Sequence, residues 1–363
     1  MTESIRRIHG SDFSLALAPE RWSFSALTEA ERCPAKFAIS RGAYPSVWPG
    51  WGYPSRPSRA AVRGIVVHSA IETIISQLSL AGVGETRSGE AVAVMRRIGG
   101  ISSIIDTAIN GVIVSFGSNP RMRNACDSLR RSLSRDASSI RTDVQRMLGS
   151  TTLAPTNPAQ PSQPDFVNEA RRAVKPQGHQ LGLGNFPEQR LEHRELRIAG
   201  IADLVTISEE RVVITDFKTG APQEKHIEQL MLYAVLWQGD DVRNNSPSRT
   251  LTLAVAYPHG ICEVTPTPGE IDDAAANLAE RISAADSSLS QSAEAKIEIE
   301  SCQLCTVRHL CDDYWSVDRP QPANFEHGAG FLDIEASIRD IRSPNTFEVE
   351  THDGSVAVLH SEL

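Results

Sequence analysis

Leu27, Ala30 and Phe37 fall near one face at helical spacing, which predicts helix over the end of segment 14–40, after a short strand or turn at Ser23-Phe24-Ser25. Pro34 has no N–H to donate, so it bends or restarts that helix directly after Cys33. Over 42–60 the prolines and glycines of YPSVWPGWGYPSRPSR exclude regular structure. A longer helix is expected from near Gly64, because His68, Ile71, Ile75 and Leu78 recur with its period. Residues 90–148 keep a mostly helical pattern. The proline-rich run 151–165 cannot build a packed face and reads as a linker or exposed loop.

Between 190 and 218 the pattern changes. RELRIAGIADLVTI and RVVITDF alternate or run apolar around a Ser-Glu-Glu turn, the pattern of an antiparallel strand pair. Past the Gly220-Ala-Pro222 break, Ile227, Leu230, Leu232 and Leu236 restore helical spacing over 224–238. TLTLAVAY is another strand and 268–290 another helix, while 330–363 alternates around Asp353-Gly354 as a small β appendage. Strands interleaved with helices predict an α/β class with no internal repeat.

At 363 residues the chain can bury a large core as one large domain or two ordinary ones. It contains no run of eighteen apolar residues and its first residues lack a signal-peptide core, so a cytoplasmic location without a membrane partner is expected. Acids outnumber bases 45 to 36, a net charge of −9, so any affinity for polyanions must come from local patches or bound cations. Six cysteines in such a compartment read as metal ligands plus spare thiols, with Cys126 and Cys262 as the spares. No G-x-x-x-x-G-K-S/T motif occurs, so no recognisable motor is present.

Residues two apart on a strand share a face, so Asp216 and Lys218 project together, away from Thr215 and Phe217. Asp203 lies on the preceding strand, and Gly200 before it leaves room for close backbone approach. Two carboxylates at neighbouring strand ends form a hard-oxygen site suited to Mg2+ or Mn2+, with the Phe217 carbonyl as a further ligand. Such a site can hydrolyse a phosphodiester by lowering the pKa of a bound water and stabilising the leaving oxyanion, with Lys218 holding the water or the phosphate. The alternative is a hairpin with a surface ion pair. Nearby stand His68 on a helix and, four apart on another, Gln229 and Tyr233, which alone read as packing.

Taken in order, Ser23-x-Ser25-x-Leu27, Cys33-Pro34-x-x-Phe37, Gly64 to His68, Gly200-Ile-Ala-Asp203, Asp216-Phe-Lys218-Thr-Gly220, Gln229 to Tyr233, and Cys302-x-x-Cys305 with Cys311 resemble the RecB/AddB-type branch of the PD-(D/E)XK nucleases. That resemblance implies a restriction-endonuclease-like mixed sheet flanked by helices. It makes His68, Asp203 and Asp216 metal ligands and Lys218 catalytic, and places Gln229 and Tyr233 along the active-site channel. Relatives often add a glutamate on the strand before the Gly-x-x-Asp segment, for which Glu192 and Glu195 are candidates. The chain then divides into an N-terminal segment 1–62, a helical region and linker 63–190, nuclease core strands and helices 191–290, a cysteine-rich segment 291–320 and a β tail 321–363.

Three thiolates within ten residues, completed by Cys33, suit Zn2+ or an iron-sulfur cubane, and spacing does not decide between them. The resemblance favours a structural 4Fe-4S cluster tying the two ends of the nuclease region together. Two further features bear on nucleic acid. Trp48, Trp51 and Tyr53 followed by Arg56, Arg59 and Arg63 form either a base-stacking platform or a loop packed on its own domain, and the seven arginines between 121 and 146 form either a phosphate track or a solvated face. The reading is a metal-dependent deoxyribonuclease, an exonuclease or one preferring single strands or single-stranded ends, in repair, recombination or defence, beside a helicase or ATPase partner. The rivals are a catalytically silent, nuclease-like DNA-binding scaffold and an RNA substrate.

Overall fold

A computed structural model describes residues 14–50, 52–155, 180–244, 248–291, 293–316, 336–351 and 354–360. Trp51, Asp353 and most of the predicted linker 151–165 lie outside them. The chain divides into two units, Met1–Tyr314 and Trp315–Leu363.

The first unit is built on a five-stranded sheet, β1 (Gly184–His193), β2 (Ile198–Ile207), β3 (Arg211–Phe217), β4 (Thr250–Tyr257) and β5 (Gly260–Val264), in that spatial order. All neighbours are antiparallel except β3 and β4, whose parallel pairing is made by the crossover helix α7 (Glu224–Gly239). The sheet is therefore mixed and flanked by helices, as the family resemblance implies. The Ser-Glu-Glu turn joins β2 to β3 as expected. β1 begins at Gly184, inside the stretch read as helical region and linker, because Pro187 and the polar residues around it hide the strand pattern. β5 also escapes the pattern: it is an exposed edge strand with no apolar face to bury.

Two apolar cores hold the layers together. One packs α1 (Phe24–Arg32), α2 (Pro34–Ser40), α7 and α8 (Pro268–Gln291) on the sheet through residues such as Leu27, Phe37, Ile214, Leu230 and Leu278. The other joins α3 (Arg59–Leu80), α4 (Gly89–Arg97), α5 (Gly100–Gly117) and α6 (Cys126–Ser150) with Leu204, Phe217 and Ala256 of the sheet. The β-branched Val66, Val67, Ile71, Ile74 and Ile75 of α3 are poor helix formers, but all are buried. At roughly 1.5–3 kcal/mol per buried aliphatic side chain, burial outweighs propensity penalties of a few tenths each. α5 has the length and hydropathy of a membrane span, yet it carries Asp106 and buries Ile105, Ile109 and Ile113 in this second core.

Helix starts follow local capping. Ser23 accepts the Ala26 N–H, so Phe24 and Ser25 open α1 instead of forming the predicted short strand or turn. Ser58 likewise accepts the Ala61 N–H and starts α3 at Arg59, earlier than the Gly64 expected from periodicity. Arg59 and Arg63 fix that added turn by pairing with Asp136 and Asp143 of α6, each at 2.5 Å.

The second unit contains a three-stranded antiparallel sheet, β6 (Ala336–Ser343), β7 (Thr346–Thr351) and β8 (Val356–His360), the expected β appendage. Gly354 provides the positive φ of +81° that its second turn requires.

Candidate active site

β2 and β3 run antiparallel with Leu204 opposite Thr215, so one step further along the register sets Asp203 opposite Asp216. Asp216 is buried, and its Oδ2 meets the Lys218 ammonium at 2.7 Å, the shared face expected for residues two apart. Asp203 Oδ2 accepts the Phe217 N–H at 2.7 Å and lies 3.4 Å from Nδ1 of His68, which α3 supplies. Phe217 turns its ring edge-on to that imidazole, with centroids 6.4 Å apart. Two small residues make this approach possible. A Cβ on Gly64 would stand 3.4 Å from Thr219 Oγ1, and one on Gly200 would stand 3.0 Å from Leu236 and 3.3 Å from the Tyr233 ring. The first lets α3 lie against the loop after β3, and the second lets α7 lie against β2.

The pair Gln229 and Tyr233 is also assembled, but inward. Gln229 Nε2 donates to the Tyr233 hydroxyl at 3.1 Å, and that hydroxyl donates to the Ile201 carbonyl at 2.8 Å, two residues before Asp203. Tyr233 is buried, and its hydroxyl is spent on the strand that carries the acid. It acts as a tie between α7 and β2.

The electrostatics are those of an acid-rich pocket. Burial, then the charge of Asp203, push the Asp216 carboxyl up to about 6, against the opposing pull of Lys218 and His68. Burial alone lowers the pKa of His68. The hydrogen bond and charge of Asp203, with the charge of Asp216, outweigh it and raise the imidazole. Tyr233 is raised well above its ordinary value by burial and by both aspartates. The charge of Asp203 therefore disfavours ionisation of Asp216 in a setting that solvent screens poorly.

Both acids face basic side chains of the protein itself: Lys218 meets Asp216 and His68 meets Asp203. Among the described residues no three His, Cys, Asp or Glu side chains converge as a closed metal set. The donor chemistry nevertheless suits a hard divalent cation, since two mutually repelling carboxylates with one carboxyl pushed toward neutrality gain most from added positive charge. His68, Asp203 and Asp216 are the side chains placed to hold one.

A residue that pattern reading missed stands beside them. Pro187 pairs with Leu204 and Gln189 with Ala202, so Glu188 occupies the position across from Asp203. Its φ of +49° breaks the strand alternation, and its charge reaches Tyr233. The two glutamates that the resemblance offers lie elsewhere. Glu192 pairs with Arg21 at 3.0 Å, and Glu195 sits in the turn between β1 and β2. The only sequence signal for Glu188 is that it precedes the Gly-x-x-Asp segment on the same hairpin.

The cysteines gather where α2 starts and the chain past α8 returns. All six are free thiols. Cys33 caps α2, its Sγ accepting the Lys36 N–H at 3.4 Å. Burial raises the Cys305 thiol, opposed by the Val307 N–H, which donates to the sulfur, and by Lys36, and reinforced by Cys33 and Cys302. Burial also pushes Cys311 up to about 11, with the Tyr314 N–H opposing and Asp313, Cys33 and Cys305 adding to it. Cys305 thus feels the charge of Cys33 and Cys302, Cys311 that of Cys33 and Cys305, and three sulfurs accept backbone N–H donors. Backbone N–H donors to sulfur suit a soft-metal site, but among the described residues these thiols do not converge as a metal-binding group. Cys126 and Cys262 take no part in this cluster.

The aromatic loop is packed on its own domain. Tyr53 is buried, stacks edge-on with Tyr44 and Trp48, donates to the Thr306 carbonyl and lies under the Arg121 guanidinium. Of the proposed arginine contacts, Arg59 and Arg63 are spent on α6, Arg121 on this loop and Arg130 on Asn110.

A scan against family models matches the PD-(D/E)XK nuclease superfamily over residues 21–312, a span that includes the acid site and the four clustered cysteines. A search of curated proteins finds no match.

Proposed function

The chain belongs to the PD-(D/E)XK nuclease superfamily, and on that premise we propose that it is a Mg2+- or Mn2+-dependent deoxyribonuclease whose site is built on Asp203, Asp216, Lys218 and His68. The observation that carries this reading is the convergence of two acids and an ammonium from adjacent strands, with Lys218 Nζ 2.7 Å from Asp216 Oδ2. Hydrolysis forms a bond from water oxygen to phosphorus, breaks the bond to the leaving ester oxygen and delivers a proton to that oxygen. A bound divalent ion would lower the pKa of the attacking water and neutralise charge on the phosphoryl oxygens. Asp203 and Asp216 would hold it, with the Phe217 carbonyl and His68 as the further groups able to reach it. Lys218 donates hydrogen bonds to the water or to a non-bridging phosphate oxygen. Its place beside Asp216 makes it an orienting group. Tyr233 and Gln229 are positioning residues that fix the height of Asp203 on β2.

Cys33, Cys302, Cys305 and Cys311 would hold a structural 4Fe-4S cluster, or zinc in its place. Acidity over the whole chain and the absence of a Walker motif fit an enzyme that works on single strands or single-stranded ends supplied by a helicase or ATPase partner, in DNA repair, recombination or defence. Free thiols fit a reducing, cytoplasmic compartment. The rival of a catalytically silent scaffold is disfavoured because such a subunit has no need for the buried, mutually repelling acid pair.

The test is incubation of pure protein with labelled single- and double-stranded DNA, and with RNA, with and without Mn2+. Mn2+-dependent DNA cleavage that disappears in Asp216→Ala and Lys218→Ala is expected. Cutting retained by both variants refutes the site.

A further inference from the structure

A cleft of about 300 Å³ lies beside the start of β2. Arg21, Arg41 and Arg190 line it over an apolar floor of Trp22, Phe37 and Ala199. The floor is rigid: Trp22 and Phe37 are each 1% exposed and pack with ring centroids 5.4 Å apart.

The charge of this cleft opposes that of the chain. Arg21 pairs with Glu192 at 3.0 Å, while Arg41 and Lys36 share the single carboxylate of Glu29 at 3.2 and 3.7 Å. Arg41 also lies over the Phe37 ring, 4.8 Å from its centroid, which fixes the direction of its guanidinium. Arg190 makes no side-chain hydrogen bond or ion pair among the described residues, although it is half-buried. The cations here outnumber the carboxylates in a protein of net charge −9. A half-buried guanidinium without a partner is costly, and a phosphate is the anion its planar fork fits best.

The cleft also stands in register with the acid site. Ala199, Ile201 and Asp203 share a face of β2, and Arg190 is paired with Ile201 across β1. Ala199 and Asp203 are four residues apart, about 13 Å at a strand rise of ~3.3 Å per residue. That span corresponds to a nucleotide or two of extended strand.

We propose that this cleft is a second phosphate subsite, in which Arg190, with Arg41 and Arg21, holds a backbone phosphate of the DNA strand being cut, one or two nucleotides from the phosphodiester at Asp203 and Asp216. The inference rests on the nuclease reading above and adds where the strand runs: along β2 toward the first helix pair. It makes Arg190 a substrate-binding residue that acts on affinity and leaves the chemical step alone.

The experiment uses the full chain and a fluorescein-labelled single-stranded oligonucleotide, with anisotropy in EDTA so that nothing is cut, and parallel Mn2+ cleavage assays. Arg190→Gln should weaken binding roughly tenfold, the scale of one charge-assisted hydrogen-bonded contact, and lower the salt slope by about the 0.7 expected per single-strand phosphate. Its KM should rise with kcat unchanged. Arg190→Lys should restore the salt slope, and Arg41→Gln should act in the same direction. A single neutral methylphosphonate, walked along the strand, should weaken wild-type binding most at one linkage near the cut and lose that effect in Arg190→Gln. Wild-type protein that cleaves DNA while both glutamine variants keep its affinity and salt slope overturns the subsite and leaves the nuclease reading standing. Wild-type protein that neither cuts nor binds DNA overturns both.

Discussion

Replacing Asp216 by Asn should stabilise the metal-free protein. The carboxyl moves from an ordinary 3.8 to about 6 on folding because it is buried beside Asp203. The folded state thus favours the neutral acid, so folding stability is fully present below pH 3.8, falls as pH rises from there to about 6, and stays reduced above. At about 1.4 kcal/mol per tenfold change in a protonation equilibrium, the ionised side chain costs the fold about 3 kcal/mol at pH 7.5. Asparagine is the isostere of the neutral acid and never pays this cost. Urea denaturation in EDTA should therefore give Asp216→Asn an advantage of about 3 kcal/mol at pH 7.5 that shrinks toward zero near pH 4. Mn2+ should close or reverse the gap, since it stabilises only a protein that binds it. A variant no more stable than wild type in EDTA at pH 7.5 contradicts the claim that the acid pair is held in mutual repulsion for a cation.

Cys305→Ser should yield protein depleted in iron and acid-labile sulfide with a lower Tm, whereas Asp216→Ala keeps its iron and sulfide; analysis of the purified proteins separates the two sites. Tyr233→Phe removes the hydroxyl that bridges Gln229 and the Ile201 carbonyl, and should cost about 1–2 kcal/mol in stability and reduce kcat more than it raises KM. Gly200→Ala places a Cβ 3.0 Å from Leu236 and 3.3 Å from the Tyr233 ring; the resulting overpacking should cost about 1–3 kcal/mol by denaturation and depress cleavage by shifting Asp203.

The central strands were legible because their chemistry and burial agree. Asp216 and Lys218 share a face by strand period alone, and Gly200 marks a place where α7 presses on β2. His68 required only a helix long enough to carry it to the sheet, and the run from Val66 to Leu78 supplies that. Glu188 was not legible. Its positive φ breaks the alternation on which strand reading depends, and Pro187 beside it argues against a strand at all. β5 was missed for a related reason, since an edge strand with exposed residues carries no apolar signature. The inward direction of Tyr233 was also hidden: four-residue spacing on a helix shows that Gln229 and Tyr233 meet, and only the packing of α7 shows that they meet over the Ile201 carbonyl. Of the two readings of the aromatic and arginine loop, the structure agrees with the packed one, because Asp136 and Asp143, distant in sequence, pair with Arg59 and Arg63.

The most direct test of the acid-and-lysine site is a Mn2+ titration of DNA cleavage by wild type, Asp216→Ala and Lys218→Ala, with products resolved by length. Cleavage by wild type that rises with Mn2+ and is lost at every concentration in both variants, with their folds intact by circular dichroism, is the predicted result. Equal cleavage by all three proteins, or cleavage by wild type in excess EDTA, contradicts it.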